Sequence, residues 1–366
     1  MTQTPSLKPW IAAIHPYVPG RARSADGRPL VKLSANENPL GCSPLALAAL
    51  EDTESPHLYP DPDATALREA IGALHGIDPA RIVCGAGSGE MLQCMVQAVA
   101  GAGDEVLFSR YSFSLYPLLA HKVGATPIMA EPVDYGADVD HLLACVTQRT
   151  RIVLLDNPNN PVGSAIPVSE VERLHNGLPG DVVLVIDQAY AEYMDPNEAR
   201  HALDLAARHD NVLVTRTFAK AYGLAGERVG WATGAPLLVD GINRLRGAFN
   251  VSLSGQRAAL AGLSDQQFVD DARAHNRAVR AAFAKALDAL GNHGLRALPS
   301  EANFVLVLFE GKLSAEHALA ALAEGGYAVR HLPGQGLAHA LRITIGQRED
   351  MERIARILRQ AAEDSA

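Results

Sequence analysis

Short apolar segments alternate with amphipathic segments through the middle of the chain. Runs of apolar, often β-branched residues predict buried strands at 81–85, 104–109, 151–158, 181–190 and 211–218. Between the first three, segments 90–100 and 114–124 have the apolar spacing that is typical of helices. Strands that alternate with helices form mainly parallel sheets, and strands that are apolar at successive positions are covered on both faces. The pattern therefore predicts an α/β fold with a mainly parallel sheet.

The last third of the chain follows a different pattern. Residues 256–290 are dominated by Ala, Arg and Leu and predict long helices. The segments that follow predict strands at 302–309, 328–333 and 341–346, and helices at 315–324 and 349–362. We expect a smaller α+β domain in this part of the chain.

These patterns divide the chain into three parts. Residues 1–45 contain several prolines and predict an arm that packs on the smaller domain. Residues 46–255 form the predicted large domain, which carries the candidate ligand site. Residues 256–366 form the predicted C-terminal small domain.

Composition excludes several classes of protein. The formal net charge of −9 argues against general nucleic-acid binding, which needs a basic surface. No apolar stretch approaches the ~20 residues that a membrane-spanning helix needs. The N-terminal sequence lacks the basic and then apolar pattern of a signal peptide. We therefore expect a cytoplasmic protein that binds neither nucleic acids nor membranes.

The spacing of cysteine and histidine offers no metal site. The four cysteines form no CxxC pair, and the thirteen histidines form no HxH or HxxxH cluster. We expect reduced thiols that behave as small apolar side chains, and no bound metal.

Candidate chemistry begins where the predicted strands end. The motif GAGSGE (85–90) follows the first strand and opens a helix, where small residues and the helix N-terminus favour a phosphate group. It departs from the dinucleotide motif GxGxxG because Glu90 replaces the last glycine, which disfavours a nicotinamide-dependent dehydrogenase. A tight turn between strand and helix is the alternative interpretation.

Two further motifs stand at the ends of later strands. DNPNNPVG (156–163) is a turn whose asparagine amides could bind a ligand oxygen, although it could be a turn alone. In DQAY (187–190), Asp187 ends a strand so apolar that its carboxylate should be buried, which is costly unless it meets a cation. Tyr190 could point a hydroxyl at the same partner, and a structural ion pair is the alternative.

A lysine lies near the same edge of the predicted sheet. Lys220, in RTFAKAYGLAGERVG (216–230), follows a strand and has small or apolar neighbours, so its amine needs a partner or a reaction. Ligands of open α/β sheets bind along the edge where the carboxyl ends of the strands lie. The four motifs together suit a ligand with a phosphate, a protonatable ring nitrogen and an aldehyde. Pyridoxal 5'-phosphate has these three groups.

Together the motifs resemble those of the fold-type I pyridoxal-phosphate aminotransferases, and among them the histidinol-phosphate aminotransferase family. The resemblance implies an α/β large domain with a mainly parallel seven-stranded sheet between helices, a smaller α+β domain, and a homodimer with shared active sites. It covers nearly the whole chain and rests on VKLSANENPLG (31–41), YPDPDATALREAI (59–71), NPNNPVG (157–163), DQAY, RTFAKAYGLAGERVG, ANF (302–304) and LRITIG (341–346).

The resemblance implies roles for residues around the cofactor. Lys220 would bind the cofactor aldehyde and then move protons, and Asp187 would keep the ring nitrogen protonated. Asn160 and Tyr190 would bond the ring oxygen, and Tyr111 would stack on the ring. The residues implied at the cofactor phosphate are Ser88, Gly89, Thr217 and Arg228, with Tyr59 contributed by the neighbouring subunit.

The resemblance also implies a reaction and its substrate contacts. Arg342 would bind the substrate carboxylate, and Arg330 the phosphate of histidinol phosphate. Tyr17 and Asn36, in the arm, would close over the substrate. The implied reaction is the transamination of L-histidinol phosphate with 2-oxoglutarate to imidazole acetol phosphate and L-glutamate.

Other activities remain open at the level of sequence. An aromatic or broad-specificity aminotransferase would share every cofactor residue, and a phosphothreonine-type decarboxylase would share the fold. A regulator that binds the cofactor without catalysis is disfavoured, because no DNA-binding module or basic segment accompanies the domain.

The chain departs from the family pattern at three positions. Ala219 replaces a frequent serine, so one hydroxyl contact to the cofactor phosphate is lost and cofactor affinity could fall. Gln188 replaces a frequent glutamate beside Asp187, and Gly89 replaces a common acid. None of the three removes the lysine, aspartate or arginine on which the implied mechanism depends.

Overall fold

The structure is a computed structural model that describes residues 5–12, 14, 23, 27–51 and 56–365. Its strands are β1 (Val31–Lys32), β2 (Ile82–Gly85), β3 (Glu105–Ser109), β4 (Thr126–Ala130), β5 (Thr150–Asp156), β6 (Val183–Asp187), β7 (Val212–Thr217), β8 (Gly230–Gly234), β9 (Leu295–Ala297), β10 (Phe304–Phe309), β11 (Tyr327–Ala328), β12 (Arg330–Leu332) and β13 (Leu337–Thr344).

Helices connect most of these strands. None of the described helices has the length and apolar character that would let it cross a membrane. The helices are α1 (Pro9–Ala12), α2 (Pro44–Glu51), α3 (Thr65–His75), α4 (Ser88–Val99), α5 (Leu115–Val123), α6 (Val139–Ala144), α7 (Val168–Gly177), α8 (Pro196–Arg208), α9 (Pro236–Leu245), α10 (Leu253–Ser264), α11 (Gln266–Asp288), α12 (Ala315–Glu324) and α13 (Arg348–Asp364).

The larger sheet has seven strands in the order β2-β8-β7-β6-β5-β3-β4. Neighbouring strands are parallel except at β8, which runs antiparallel to β2 and to β7. Parallel strands place their carboxyl ends at one edge of the sheet, so the residues that follow β5, β6 and β7 meet there.

Helices cover both faces of the larger sheet, and alternate residues of each strand pack against opposite faces. In β6, Leu184 and Ile186 belong to a cluster with α3, α7 and α8, whereas Val183 and Val185 belong to a cluster with α4, α5 and α9. Because the side-chain period of a strand is two, Asp187 continues the second series and points toward α4 and α5.

The smaller sheet is antiparallel, with the strand order β12-β13-β10-β9. Its apolar core contains residues of α11, α12 and α13. The arm joins this part of the structure, because β1 pairs in parallel with β11 and Leu33 belongs to the same core. The arm therefore brings the residues after β1 to the region between the two sheets.

The predicted fold class is confirmed: a mainly parallel sheet of seven strands lies between helices, beside a smaller antiparallel sheet. The apolar pattern misses β4, which is half-exposed, and β8, which is GWATG. Small residues give no periodic signal, so β8 becomes visible only through its pairing with β2 and β7. The division at residues 45 and 255 stays a prediction; the pairing of β1 with β11 supports only the packing of the arm on the C-terminal part of the chain.

Gly230, at the start of β8, lies against the turn that follows β2. A Cβ at this position would lie 2.3 Å from the backbone nitrogen of Ser88 and 2.5 Å from the carbonyl carbon of Gly87. Both are backbone atoms, which cannot move aside as the end of a flexible side chain can. The close approach of the two segments therefore requires glycine at position 230.

We expect Gly230→Ala to lower the free energy of unfolding by about 1–3 kcal/mol, because the added methyl group overpacks against this backbone. Gly226→Ala is the matched control, since nothing lies within 4 Å of the position that its Cβ would take. Urea unfolding followed by circular dichroism measures both variants. Equal unfolding midpoints for the two would contradict the prediction.

Candidate active site

A cavity of about 580 Å³ lies between the carboxyl edge of the larger sheet, the arm and the smaller sheet. Most of the residues that the sequence places in the site line this cavity, although they come from separate parts of the chain. They are Asn36, Ser88, Gly89, Asn160, Asp187, Tyr190, Thr217, Lys220, Arg228, Arg330 and Arg342.

The turn between β2 and α4 forms one wall. Gly87 has a φ of 84°, and a Cβ there would lie 2.7 Å from Nη2 of Arg228, so glycine makes room for the guanidinium group. Glu90 accepts hydrogen bonds from the backbone N–H of Ala86 at 2.7 Å and from the side-chain amide of Asn250 at 2.6 Å. The turn is thereby fixed, and the N-terminus of α4 and the charge of Arg228 favour an anion beside it.

Thr217 and Ala219 continue this wall from the end of β7. Oγ1 of Thr217 accepts a hydrogen bond from the N–H of Ala219 at 3.1 Å and donates one to the carbonyl of Val229 at 3.3 Å. The loop itself therefore engages the Thr217 hydroxyl. A serine at position 219 would add a hydroxyl donor to the wall that Ala219 does not supply.

Asp187 ends β6 and is buried, with 3% of its surface exposed. Its carboxylate accepts hydrogen bonds from the hydroxyls of Thr215 at 3.1 Å and Tyr116 at 3.3 Å. Burial raises the pKa of Asp187 to about 6, against the effect of these neutral donors. A buried carboxylate whose hydrogen bonds come from neutral hydroxyls is well suited to a cationic group of a ligand.

A chain of hydrogen bonds joins the arm, the ends of β5 and β6, and β13. The hydroxyl of Tyr190 accepts from Nδ2 of Asn36 at 2.8 Å and from Nδ2 of Asn160 at 3.3 Å. Arg342 donates to Oδ1 of Asn160 at 2.5 Å and to the carbonyl of Ser34 at 2.8 Å. These bonds fix the Arg342 guanidinium relative to the phenol, and burial raises the pKa of Tyr190 to about 12.

Lys220 lines the same cavity and donates from Nζ to the carbonyl oxygen of Ala35 at 2.9 Å. Burial, together with the positive charges of Arg342 and Arg228, lowers the pKa of Lys220 to about 7, although the carboxylate of Glu37 opposes the shift. A pKa near neutrality gives a substantial fraction of unprotonated, nucleophilic amine at pH 7.

The loop after β3 carries two aromatic residues, the predicted Tyr111 and Phe113. Tyr111 lies outside the lining of the cavity, and its ring stacks on Tyr135 with the centroids 5.5 Å apart. Phe113, two residues later, lines the cavity instead. Both aromatic residues stand in one loop, and Phe113 is the one that lines the cavity. The role of Tyr111 in stacking on a cofactor ring stays a prediction.

Tyr59 does not line the cavity of its own chain. Tyr59 is 80% exposed and stacks on Phe249 with the ring centroids 4.4 Å apart. Its role therefore depends on a second subunit and stays a prediction. Tyr17 lies outside the described residues, and its role also stays a prediction.

Gln188 follows Asp187 but points to the opposite face of the sheet. Its Oε1 accepts hydrogen bonds from Nε and Nη2 of Arg216 at 3.0 and 2.8 Å. Glu192, whose carboxylate lies 4.0 Å from the same guanidinium, supplies the opposite charge. Gln188 lies outside the cavity lining, so this departure from the family pattern affects the surroundings of buried Arg216 rather than the ligand site.

Sequence reasoning misses other lining residues, including Lys32 and Asp156. The signal for Asp156 was present, because it ends a buried strand as Asp187 does. Lys32 gives no such signal. It reaches the cavity because β1 pairs with β11, a pairing between distant parts of the chain.

Comparison with known proteins gives consistent results. The chain matches the family model described as aminotransferase class I and II over residues 28–358. It is 63% identical to the histidinol-phosphate aminotransferase of Erythrobacter litoralis and 55% identical to that of Zymomonas mobilis, with 98% of each chain covered in both cases. It also resembles the solved structure of histidinol-phosphate aminotransferase from Sinorhizobium meliloti in complex with pyridoxal-5'-phosphate, at 28% identity and a TM-score of 0.89 over 100% of both chains.

Because the charge of Arg342 lowers the pKa of Lys220, we expect Arg342→Gln to raise that pKa and move the reactivity of the amine to higher pH. The smaller neutral fraction near pH 7 should slow reductive methylation of Lys220 by formaldehyde and cyanoborohydride at least ~3-fold. Mass spectrometry of the ligand-free protein at a series of pH values measures this rate. Arg342→Lys keeps the charge and should keep the pH profile, whereas an unchanged profile in the glutamine variant would contradict the electrostatic effect.

Proposed function

The chain belongs to the class I and II aminotransferase family, and on this premise we propose that it transfers the amino group of L-histidinol phosphate to 2-oxoglutarate, with pyridoxal 5'-phosphate as cofactor. The relatives at 63% and 55% identity are named histidinol-phosphate aminotransferases. The observation that carries the proposal is one cavity that combines a lysine of lowered pKa, a buried carboxylate and a turn suited to an anion.

The cavity fits pyridoxal phosphate at three points. The turn at Gly87, the N-terminus of α4 and Arg228 suit its phosphate. Asp187 suits a protonated ring nitrogen, because the side-chain donors that already bond its buried carboxylate are neutral hydroxyls. Lys220 supplies a partly neutral amine for the aldehyde. The phosphate, the ring nitrogen and the aldehyde of pyridoxal phosphate would thus each meet a chemically suitable group of the protein.

The residues around the ring would tune its electronic state. When bound, pyridoxal phosphate supplies an aldehyde that exchanges between amines and a ring that accepts electrons. Asp187 would hold the proton at the ring nitrogen and so keep the ring electron-accepting. Asn160 and Tyr190 would bond the ring oxygen, and Phe113, which lines the cavity, would join the predicted Tyr111 in packing around the ring.

Lys220 would be the base of the reaction. Its Nζ would remove the proton from the donor carbon that bears the amino group, and a pKa of about 7 lets it accept and return a proton at the same pH. Tyr190 remains a neutral phenol because burial raises its pKa to about 12. Its hydroxyl hydrogen would therefore be available to donate to the ring oxygen, and the phenol would not compete for the proton.

Two arginines of the smaller sheet would recognise the substrates. Arg330 on β12 and Arg342 on β13 are register partners, so their side chains leave the sheet on the same side. Arg342, held by Asn160, would bind a carboxylate of 2-oxoglutarate, and Arg330 would bind the phosphate of histidinol phosphate. Asn36 donates a hydrogen bond to Tyr190, and this bond would hold the arm against the occupied site.

Turnover by the purified protein with pyridoxal phosphate tests this function. We expect histidinol phosphate and 2-oxoglutarate to yield glutamate, and borohydride to fix the cofactor covalently to Lys220. Faster turnover of phenylalanine than of histidinol phosphate would indicate an aromatic or broad-specificity aminotransferase. Release of CO₂ without a need for a keto acid would indicate a decarboxylase. A protein in which borohydride leaves Lys220 unlabelled would overturn the proposal.

We also propose a cytoplasmic location. The cysteines at positions 42, 84, 94 and 145 are free thiols. Burial raises the pKa of the Cys84 thiol to about 12, so this group is chemically inert. Unpaired thiols of this kind are typical of proteins in a reducing compartment.

We further propose a homodimer in which each subunit contributes Tyr59 to the other's site. Tyr59 and Phe249 form an exposed aromatic pair, and Leu58 beside them is 58% exposed. The segment is attached to a distant part of its own chain, because the carbonyl of Asp61 accepts a hydrogen bond from Nε2 of Gln256 at 2.8 Å. An ordered apolar surface of this kind favours burial against a second copy.

Hybrid dimers test the shared site. We expect Tyr59→Ala and Lys220→Ala homodimers each to lose most of their activity. A purified hybrid of the two variants should recover about half of the wild-type activity, because one of its two sites then has both native residues. Two different affinity tags isolate the hybrid after coexpression. A hybrid no more active than the mean of the two homodimers would show that Tyr59 does not act across the interface.

A further inference from the structure

Asp156 is a buried carboxylate in the cavity wall that the proposed mechanism does not use. It ends β5, is 5% exposed and lines the cavity. It is the register partner of Asp187 on β6, so both side chains point to the face covered by α4 and α5. Burial and the neighbouring Asp187 raise the pKa of Asp156 to about 7. A second acid beside Asp187 is costly to bury, and strong hydrogen bonds must offset this cost.

The hydrogen bonds of Asp156 reach two different loops. Oδ1 accepts from Nδ2 of Asn159 at 3.0 Å, within the turn that follows β5. Oδ2 accepts from the backbone N–H of Asn160 at 2.8 Å in the same turn, and from the backbone N–H of Phe113 at 3.1 Å in the loop that follows β3. One side chain therefore connects the ends of two neighbouring strands.

The two loops carry the groups that meet a ligand from different sides. Phe113 lines the cavity, and Asn160 bonds both Tyr190 and Arg342. The backbone positions of Phe113 and Asn160 are both set by the same carboxylate oxygen. A shift of Asp156 would thus move the aromatic wall and the substrate-binding arginine together.

We propose that Asp156 is a positioning residue that holds Phe113 and Asn160 at one fixed spacing, so that the ring-packing side chain and the Asn160–Arg342 pair are aligned before ligands bind. The proposal rests on the proposed function, because it assigns these groups to cofactor and substrate. It differs from a role for Asp156 as a second charge near the ring nitrogen, which would act through electrostatics rather than through hydrogen bonds to the loops.

Substitutions at Asp156 and Asn159 can separate the positioning role of Asp156 from an electrostatic role. In Asp156→Asn, the amide oxygen can keep the two backbone N–H groups, but its NH₂ then faces the NH₂ of Asn159. The side-chain amide of Asn159 cannot rotate by 180° without losing a hydrogen bond, because its Oδ1 accepts from the N–H of Val162 at 3.0 Å. Adding Asn159→Asp restores a donor and an acceptor between the two side chains and moves the charge away from position 156.

We expect Asp156→Ala to weaken pyridoxal phosphate binding by about 10-fold or more, and Asp156→Asn to weaken it less, because the alanine variant loses three hydrogen bonds and the asparagine variant one. KM for 2-oxoglutarate should rise more than kcat falls, since Arg342 loses its alignment. The double variant Asp156→Asn with Asn159→Asp should return the affinity to within about 3-fold of wild type.

Amide hydrogen exchange of the cofactor-free protein gives a readout that does not depend on catalysis. The amides of Phe113 and Asn160 should exchange faster in Asp156→Ala and regain protection in the double variant, while the amide of Leu154 within β5 serves as the internal control. If the double variant binds pyridoxal phosphate as weakly as Asp156→Asn does, and keeps the native melting temperature, the positioning role is overturned. The charge of Asp156 would then be the property that matters. Unchanged exchange at both amides in Asp156→Ala would overturn it as well.

These outcomes remain distinct from failure of the proposed function. A wild-type protein that binds pyridoxal phosphate but transaminates nothing would refute the function, while cofactor affinity and amide exchange would still decide the role of Asp156. If Asp156→Ala does not fold, the asparagine variant and its double variant carry the same comparison.

Discussion

The site depends on the burial of two groups, Asp187 and Lys220, that water would hold fully charged. Removal from water raises the pKa of the acid to about 6 and lowers that of the amine to about 7. The acid bonds neutral hydroxyls and the amine bonds a backbone carbonyl, so both are held in place without being neutralised. The carboxylate of Asp187 therefore suits a cationic nitrogen of a ligand, and the amine of Lys220 suits an aldehyde.

The parallel sheet explains how these groups come together. Asp156 and Asp187 are register partners at the ends of neighbouring strands, and the next strand places Thr215 beside Asp187. The two-residue period then separates functions within one short motif. Asp187 points into the cavity, whereas Gln188 points through the opposite face to the buried Arg216. A change in a family motif can therefore affect packing on one face and leave the chemistry of the other face intact.

The arm joins the two sheets at the point where the substrate would bind. Ala35 accepts from Lys220, Ser34 accepts from Arg342, and Asn36 donates to Tyr190. Three successive residues thus contact the amine, the arginine and the phenol of the site. The backbone N–H of Thr344, at the end of β13, donates a hydrogen bond to the carbonyl of Leu33 in the arm at 3.0 Å. A movement of the smaller sheet would therefore displace Ala35, the hydrogen-bond partner of Lys220.

The sequence by itself determined the lysine and the acid, because each is a polar side chain at or just after the end of an apolar strand, whereas the two arginines followed from the resemblance to the aminotransferase family. The tertiary structure alone placed Phe113 in the lining of the cavity, while Tyr111 of the same loop packs on Tyr135. It alone showed that Asp156 connects two loops, and that Asn36 meets a tyrosine 154 positions away. Local patterns follow from the period of a strand or helix, whereas such contacts depend on how distant segments pack, which no short stretch of sequence encodes.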